Sequence, residues 1–227
     1  MSEMKDKLIR KKEDWARDRR GLTPQAREEG VSIRQNPQSP DIDRPRLPPG
    51  QRLVKGFPVL DLGIQPEVSL QKWSLEIDGL VENPVIWDWQ DFMAQPQVVR
   101  VSDFHCVTTW STFDNPWEGV SFRHLLEVVR PRSEARHVLF TAHDGYTTNV
   151  PLSILDHDDV LIAHRWGGLP LAREHGGPAR VIAPALYAWK GAKWVKAMKF
   201  IAEDRPGFWE VRGYSNTADP WKEERYS

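Results

Sequence analysis

The sequence predicts an α+β fold with a mixed sheet and an extended N-terminal arm. Three observations carry this. Short apolar stretches with strand-like alternation recur between Gly and Pro turns over residues 51–212. Within that body one stretch has a clear helical repeat. Residues 1–50 hold only 12 residues of the hydrophobic class and carry prolines at 37, 40, 45, 48 and 49. Those prolines interrupt any helix or central strand.

The elements follow in order. Lys5 to Arg20 is dense in mixed charge and reads as a short polar helix in an arm that lies along the body or stays mobile. Trp73, Leu75 and Ile77 alternate as a strand that Asp78-Gly79 ends. Val99 and Val101 alternate toward His105-Cys106. Phe122, Leu125, Leu126 and Val129 form one helical face, stopped by Pro131. Val138–Ala142 is an apolar strand closed by the turn His143-Asp144-Gly145. Val160–Ala163, Val181–Ala183 and Trp194–Ile201 are further strands. Gly213–Ser227 is polar but carries Tyr214, Trp221 and Tyr226, which predict a docked tail. The domain reading is therefore an arm at 1–50, one domain at 51–212 and a tail at 213–227.

Composition excludes several classes. There are 31 Lys+Arg against 32 Asp+Glu and a single cysteine. One thiol closes no internal disulfide and builds no multi-cysteine zinc or iron–sulfur site from this chain alone. Near-zero net charge argues against a chain that coats nucleic acid. No apolar run approaches the roughly 20 residues of a membrane helix. Arg19-Arg20 is followed by Gly-Leu-Thr-Pro-Gln and not by an apolar run, so a cytoplasmic protein is expected.

Three groups of residues have chemical potential. Cys106, in Asp-Phe-His-Cys-Val-Thr-Thr-Trp-Ser, is either a small buried hydrophobe or a thiolate serving as nucleophile or metal ligand. His105 is adjacent and on a strand points to the opposite face. Thr108, Thr109 and Trp110 follow closely, and Thr108 and Trp110 are candidates to contact substrate. His175-Gly-Gly-Pro-Ala-Arg180 is a turn that presents a guanidinium, suited to phosphate or carboxylate but also compatible with a solvated surface Arg. Trp189-Lys-Gly-Ala-Lys193-Trp-Val-Lys is a Gly turn beside a lysine, a phosphate cradle without Walker spacing. Lysines at 190, 193, 196 and 199 would make a basic stripe on a helix, but on a strand they split between two faces. The tryptophans mostly build core, with one or two available to line a pocket.

These groups occur in a recognisable order. Cys106-Val-x-x-Trp110-Ser is followed by Phe140-x-x-x-Asp-Gly-Tyr146. Next comes Leu161-Ile-Ala-x-x-x-x-Gly-x-Pro-Leu-x-x-x-His175-Gly-x-Pro-x-Arg180, and then Lys190-Gly-x-Lys-Trp-Val-Lys196. Over roughly residues 50–210 the chain resembles the sulfite oxidase family of molybdopterin enzymes. It is most similar to the bacterial branch that contains the molybdenum-dependent methionine sulfoxide reductase catalytic subunit. The resemblance implies a mixed-sheet sulfite-oxidase-type molybdopterin-binding domain and an oxidoreductase with a molybdenum–molybdopterin cofactor. It implies Cys106 as the thiolate on the metal. It implies Thr141, His175, Arg180, Gly191, Ala192 and Lys193 as cofactor contacts, with Lys55, Gly56 and Phe57 in a loop that grips the pterin. The dithiolene of the pterin supplies two more sulfurs, so one protein cysteine suffices. Animal sulfite oxidases place an arginine a few residues after the metal cysteine, where this chain has Trp110 and Ser111, which weighs against sulfite as substrate. The reaction expected is two-electron oxygen-atom transfer on a small S- or N-oxide, with a separate electron donor or acceptor and no nucleic-acid partner. The alternatives are a molybdopterin carrier without turnover and a metal-free anion-binding protein.

Overall fold

The computed structural model describes residues 6, 7, 9, 10 and 45–227. Most of the expected polar helix, the Arg19-Arg20 pair and prolines 37 and 40 lie outside the described residues. The strands are β1 (Arg52–Leu53), β2 (Ser74–Gly79), β3 (Val85–Asp88), β4 (Gln97–Cys106), β5 (Trp110–Ser121) and β6 (His137–Ala142). They continue as β7 (Thr147–Pro151), β8 (Leu161–Trp166), β9 (Leu169–Pro170), β10 (Arg180–Ile182) and β11 (Val195–Ile201). Three short helices intervene: α1 (Trp89–Ala94), α2 (Phe122–Val129) and α3 (Leu152–Leu155).

The strands form two mixed sheets. One has the order β1-β5-β8-β10, with β4 paired to β5 and β9 to β8. The other runs β3-β2-β11-β6-β7. Each contains one parallel pair, β1 with β5 and β11 with β2, among antiparallel neighbours. The α+β class holds.

Local sequence explains most of this. In β2, Leu75 and Ile77 point inward and are fully buried, with Trp73 just before them. Helix α2 buries Phe122, Leu125 and Val129, and ends at Arg130 in the left-handed region, with Pro131 next. Helix α1 was not apparent from periodicity. Its start is fixed by a capping box in which Asp88 accepts from Asp91 N and Asp91 accepts from Asp88 N. Strand β5 was also unexpected, because it contains Asp114, Asn115, Pro116, Glu118 and Gly119. Its conformation comes from pairing with β4 on one side and with β1 and β8 on the other. Gly119 is required there: a Cβ would sit 2.1 Å from the Ile162 carbonyl oxygen.

The C-terminal residues fold back on the domain. Tyr214 bridges to Tyr226, Trp221 Nε1 donates to Pro45 O (2.7 Å) and Arg225 Nη2 to Pro49 O (3.2 Å). Among the described residues no helix is long and apolar enough to cross a membrane.

Candidate active site

Strands β4 and β5 join through a three-residue turn, Val107–Thr109, a length that commonly ends with a left-handed residue. Here that residue is Thr109, at φ 73°. Thr109 N donates to Cys106 O (3.1 Å) and Gln51 Nε2 donates to the same oxygen (3.0 Å). The turn therefore holds Cys106 in one orientation. Its Sγ lies 3.1 Å from Thr108 Oγ1.

Cys106 is buried and lines a cavity of about 530 Å³. The cavity lies where the β4–β5 tip meets the β6–β7 turn and the loops on either side of β10. His105 points the other way, as strand alternation requires. It is buried, its Nδ1 is 2.9 Å from Ser111 Oγ, and burial, reinforced by Arg46, lowers its pKa to about 3. It stays neutral and is no partner for the thiol.

The loop before β10 contributes His175 and Arg180. Arg180 is buried, with Nη1 donating to His175 O (2.9 Å). Its guanidinium lies 5.2 Å from the Phe104 ring centre and 5.8 Å from that of Trp117. Its buried Nε has no hydrogen-bond partner. Burial lowers its pKa to about 10, against a smaller upward pull from Cys106. The Cys106 sulfur and the guanidinium thus share one electrostatic environment. His175 stacks on Phe57 at 4.5 Å and 11°, and burial followed by the Arg180 charge lowers its pKa.

The next loop brings Gly191 and Lys193 to the cavity. Gly191 is needed for close packing, since a Cβ would lie 2.6 Å from Val181 O. Lys193 Nζ donates to Glu174 O (2.8 Å), stands 3.8 Å from Asp61 Oδ2 and lies 4.5 Å from the Trp194 ring centre.

Of the residues expected at a site, Cys106, Thr108, Trp110, Phe57, His175, Arg180, Gly191 and Lys193 all line this cavity. Lys55, Gly56, Thr141 and Ala192 lie outside its lining. Lys55 and Gly56 are exposed, and the segment lines the cavity only from Phe57 onward, through Leu62. Thr141 does not line it. In β6 the residues Val138, Phe140 and Ala142 are the buried set, and Thr141 alternates to the other face. Ala192 is fully buried and its carbonyl accepts from Val181 N, so it serves the packing of β10. Nor is Gly191 a free N–H donor, because its amide donates to Ala188 O (3.1 Å). As expected of a strand, the lysines form no single stripe. Lys190 is fully buried, while Lys199 is exposed.

Tyr146, Trp189, Trp209 and Tyr214, none of them singled out as a site residue by the sequence, form another part of the wall. Tyr146 Oη donates to Trp189 O (2.5 Å). The Tyr214 hydroxyl is pushed up in pKa by burial and then by Cys106, which places the phenol within electrostatic reach of the sulfur. Behind this wall Lys190 Nζ meets Glu210 Oε1 at 2.7 Å and donates to Asn149 O (2.9 Å). Tyr146 carried a signal in the Asp-Gly-Tyr segment after Phe140 and Trp189 in the motif it opens, while Tyr214 was read as an anchor of the tail.

Comparisons with known proteins identify the family. Residues 62–209 match the family described as the oxidoreductase molybdopterin-binding domain. The chain is 40% identical over 183 residues to an uncharacterized oxidoreductase, YuiH, of Bacillus subtilis, covering 80% of this chain and 92% of that one. It is 29% identical over 159 residues to the protein-methionine-sulfoxide reductase catalytic subunit MsrP of Campylobacter jejuni, covering 63% of this chain and 53% of that protein. It thus spans about half the length of that reductase. The crystal structure of sulfane dehydrogenase SoxCD from Paracoccus pantotrophus shares the fold, with a TM-score of 0.60, 19% identity, and coverage of 82% of this chain and 59% of that one. These matches place the chain in the sulfite-oxidase-type oxidoreductase molybdopterin-binding family, as an enzyme whose cofactor is molybdenum held by molybdopterin.

Proposed function

We propose that this enzyme carries out two-electron oxygen-atom transfer on a small S- or N-oxide, with the Cys106 thiolate as the protein's ligand to molybdenum. The observation that carries the reading is the convergence of Cys106, Arg180, His175 and Lys193 on one cavity of about 530 Å³. That size suits a cofactor-scale ligand.

The residues present fit the cofactor. Among the described residues no three His, Cys, Asp or Glu side chains converge as a metal site. A metal here must therefore bring most of its own ligands, as a dithiolene does, and a soft thiolate completes the set. The buried, unpartnered Arg180 Nε is a donor awaiting an acceptor. Arg180 and Lys193 supply the positive charge that an anionic phosphate tail requires.

When bound, the cofactor supplies the two-electron redox chemistry. The chain's own residues do the rest. Phe57 and the stacked His175 ring form a flat wall for a planar heterocycle. Trp110 and the Trp189–Trp209–Tyr214 wall give an aromatic surround suited to a neutral oxide. Tyr214, with its raised pKa, keeps its phenolic proton and can donate a hydrogen bond to a substrate oxygen. Reducing an S-oxide consumes two electrons and two protons per oxygen released as water. The electrons come from a separate donor. The proposal includes a cytoplasmic location, which cell fractionation tests.

The test is a reduced-dye assay with a panel of sulfoxides and N-oxides, on holoenzyme whose molybdenum and pterin have been measured. Cys106→Ser is expected to lose turnover by several orders of magnitude while unfolding at nearly the wild-type temperature. Full activity in that variant would overturn the ligand role. A wild-type holoenzyme inert to the whole panel would overturn the substrate class.

A further inference from the structure

Thr108 sits at the middle of the β4–β5 turn, two residues after Cys106. In that turn the Cys106 carbonyl is fixed by Thr109 N and Gln51 Nε2. The outcome is the 3.1 Å approach of Oγ1 to Sγ. Either atom can donate while the sulfur is a thiol. A thiolate bound to metal has no proton, so the hydroxyl must be the donor. A hydroxyl has one proton. Spent on sulfur, it is not available to a substrate or oxo group, the role the sequence suggested for Thr108.

We propose that Thr108 is a positioning residue that tunes the metal through the Cys106 sulfur: its hydroxyl donates to the thiolate and raises the reduction potential of the centre. The physical reason is general. A hydrogen bond to a ligand sulfur withdraws electron density from it, weakens its donation to the metal and favours the reduced state. The bond is charge-assisted and lies in a buried pocket, where such bonds are strongest. The hydroxyl keeps its lone pairs as acceptors, so Thr108 can still orient a protonated neighbour.

The inference rests on Cys106 being the ligand, and the experiment separates the two. Thr108→Val keeps the β-branched shape and removes the donor, whereas Thr108→Ser keeps the donor. Each is made as holoenzyme and matched to wild type in molybdenum and pterin content. The readouts are the thiolate-to-metal charge-transfer band in the visible spectrum and the midpoint potential by dye-mediated titration. T108V is expected to move the band to longer wavelength and the potential to more negative values, with T108S close to wild type. An unchanged band and potential in T108V, or equal shifts in T108V and T108S, would overturn the proposal. Failure of both T108V and Thr108→Ala to take up cofactor would also overturn it, in favour of a structural role. Cys106→Ser serves as the reference. If that variant loads and leaves the band unchanged, the ligand assignment has failed. If it alters the band and T108V does not, only the role of Thr108 has failed.

Discussion

Lys190 carries a charge to a place without solvent. Its ammonium is fully buried against Glu210, whose carboxylate also accepts from Thr148 Oγ1 (2.7 Å). Burial lowers the Lys190 pKa, and the Glu210 charge opposes this. Such a pair adds little net stability, but breaking it strands the remaining charge. Lys190→Met is expected to cost about 3–5 kcal/mol in urea unfolding, the usual cost of removing one partner from a buried pair. Because the pair underlies Trp189 and Trp209, the loss should also lower cofactor retention. His164 gives a pH dependence. It is buried between Trp89 and Phe92, with Glu118 at 3.9 Å and Arg165 adjacent, and burial lowers its pKa. A depressed basic pKa means the unfolded chain binds the proton first. Stability therefore falls as pH drops below the ordinary histidine value of about 6.5, by at most about 1.4 kcal/mol per pH unit. Unfolding at pH 7 and pH 5 should show a smaller difference in His164→Gln than in wild type. Neither role was legible in the sequence. Lys190 looked like one member of a basic run, and only the tertiary fold reveals that β7 and the Glu210 turn enclose it.

At the level of elements, the β4–β5 hairpin positions the sulfur. Thr109 holds a left-handed conformation that a β-branched residue adopts only at a cost. Thr109→Gly is expected to relieve that strain and raise stability by up to about 1 kcal/mol, less what glycine loses in chain entropy. Thermal unfolding measures it. A drop in stability would mean the threonine side chain holds the turn. Gly119→Ala should do the reverse, since the nearest obstacle to a Cβ is backbone and cannot rotate away; a loss of about 1–3 kcal/mol is expected for such overpacking. Elements with their own periodicity were readable in advance. Strands β2 and β6 and helix α2 each bury one regular face, and the sequence periodicity records that. Strand β5 was not readable, because its residues answer to three partner strands and have no single solvent face. The turn around Cys106 was visible as a motif, and so were Arg180 and Lys193. The Trp209–Tyr214 wall was not, since an aromatic residue looks the same in sequence whether it fills a core or lines a cavity.

For the whole molecule, the described N-terminal residues from 45 onward and the C-terminal residues hold one another across the sheet that bears Cys106. Trp221 donates to Pro45 O and packs edge-on to His105 at 5.0 Å between ring centres. Arg225 reaches Pro49, and nearby Gln51 grips the Cys106 carbonyl. Trp221→Ala is expected to leave both sheets folded yet expose the 45–54 segment to limited proteolysis, with faster loss of cofactor on dilution. Equal protease resistance in variant and wild type would show that the contact contributes nothing to the site. This arrangement also has a consequence for biosynthesis. Cys106 is made well before Trp209 and Tyr214, so a nascent chain that has not yet passed Tyr214 presents the cysteine without the full lining of its cavity.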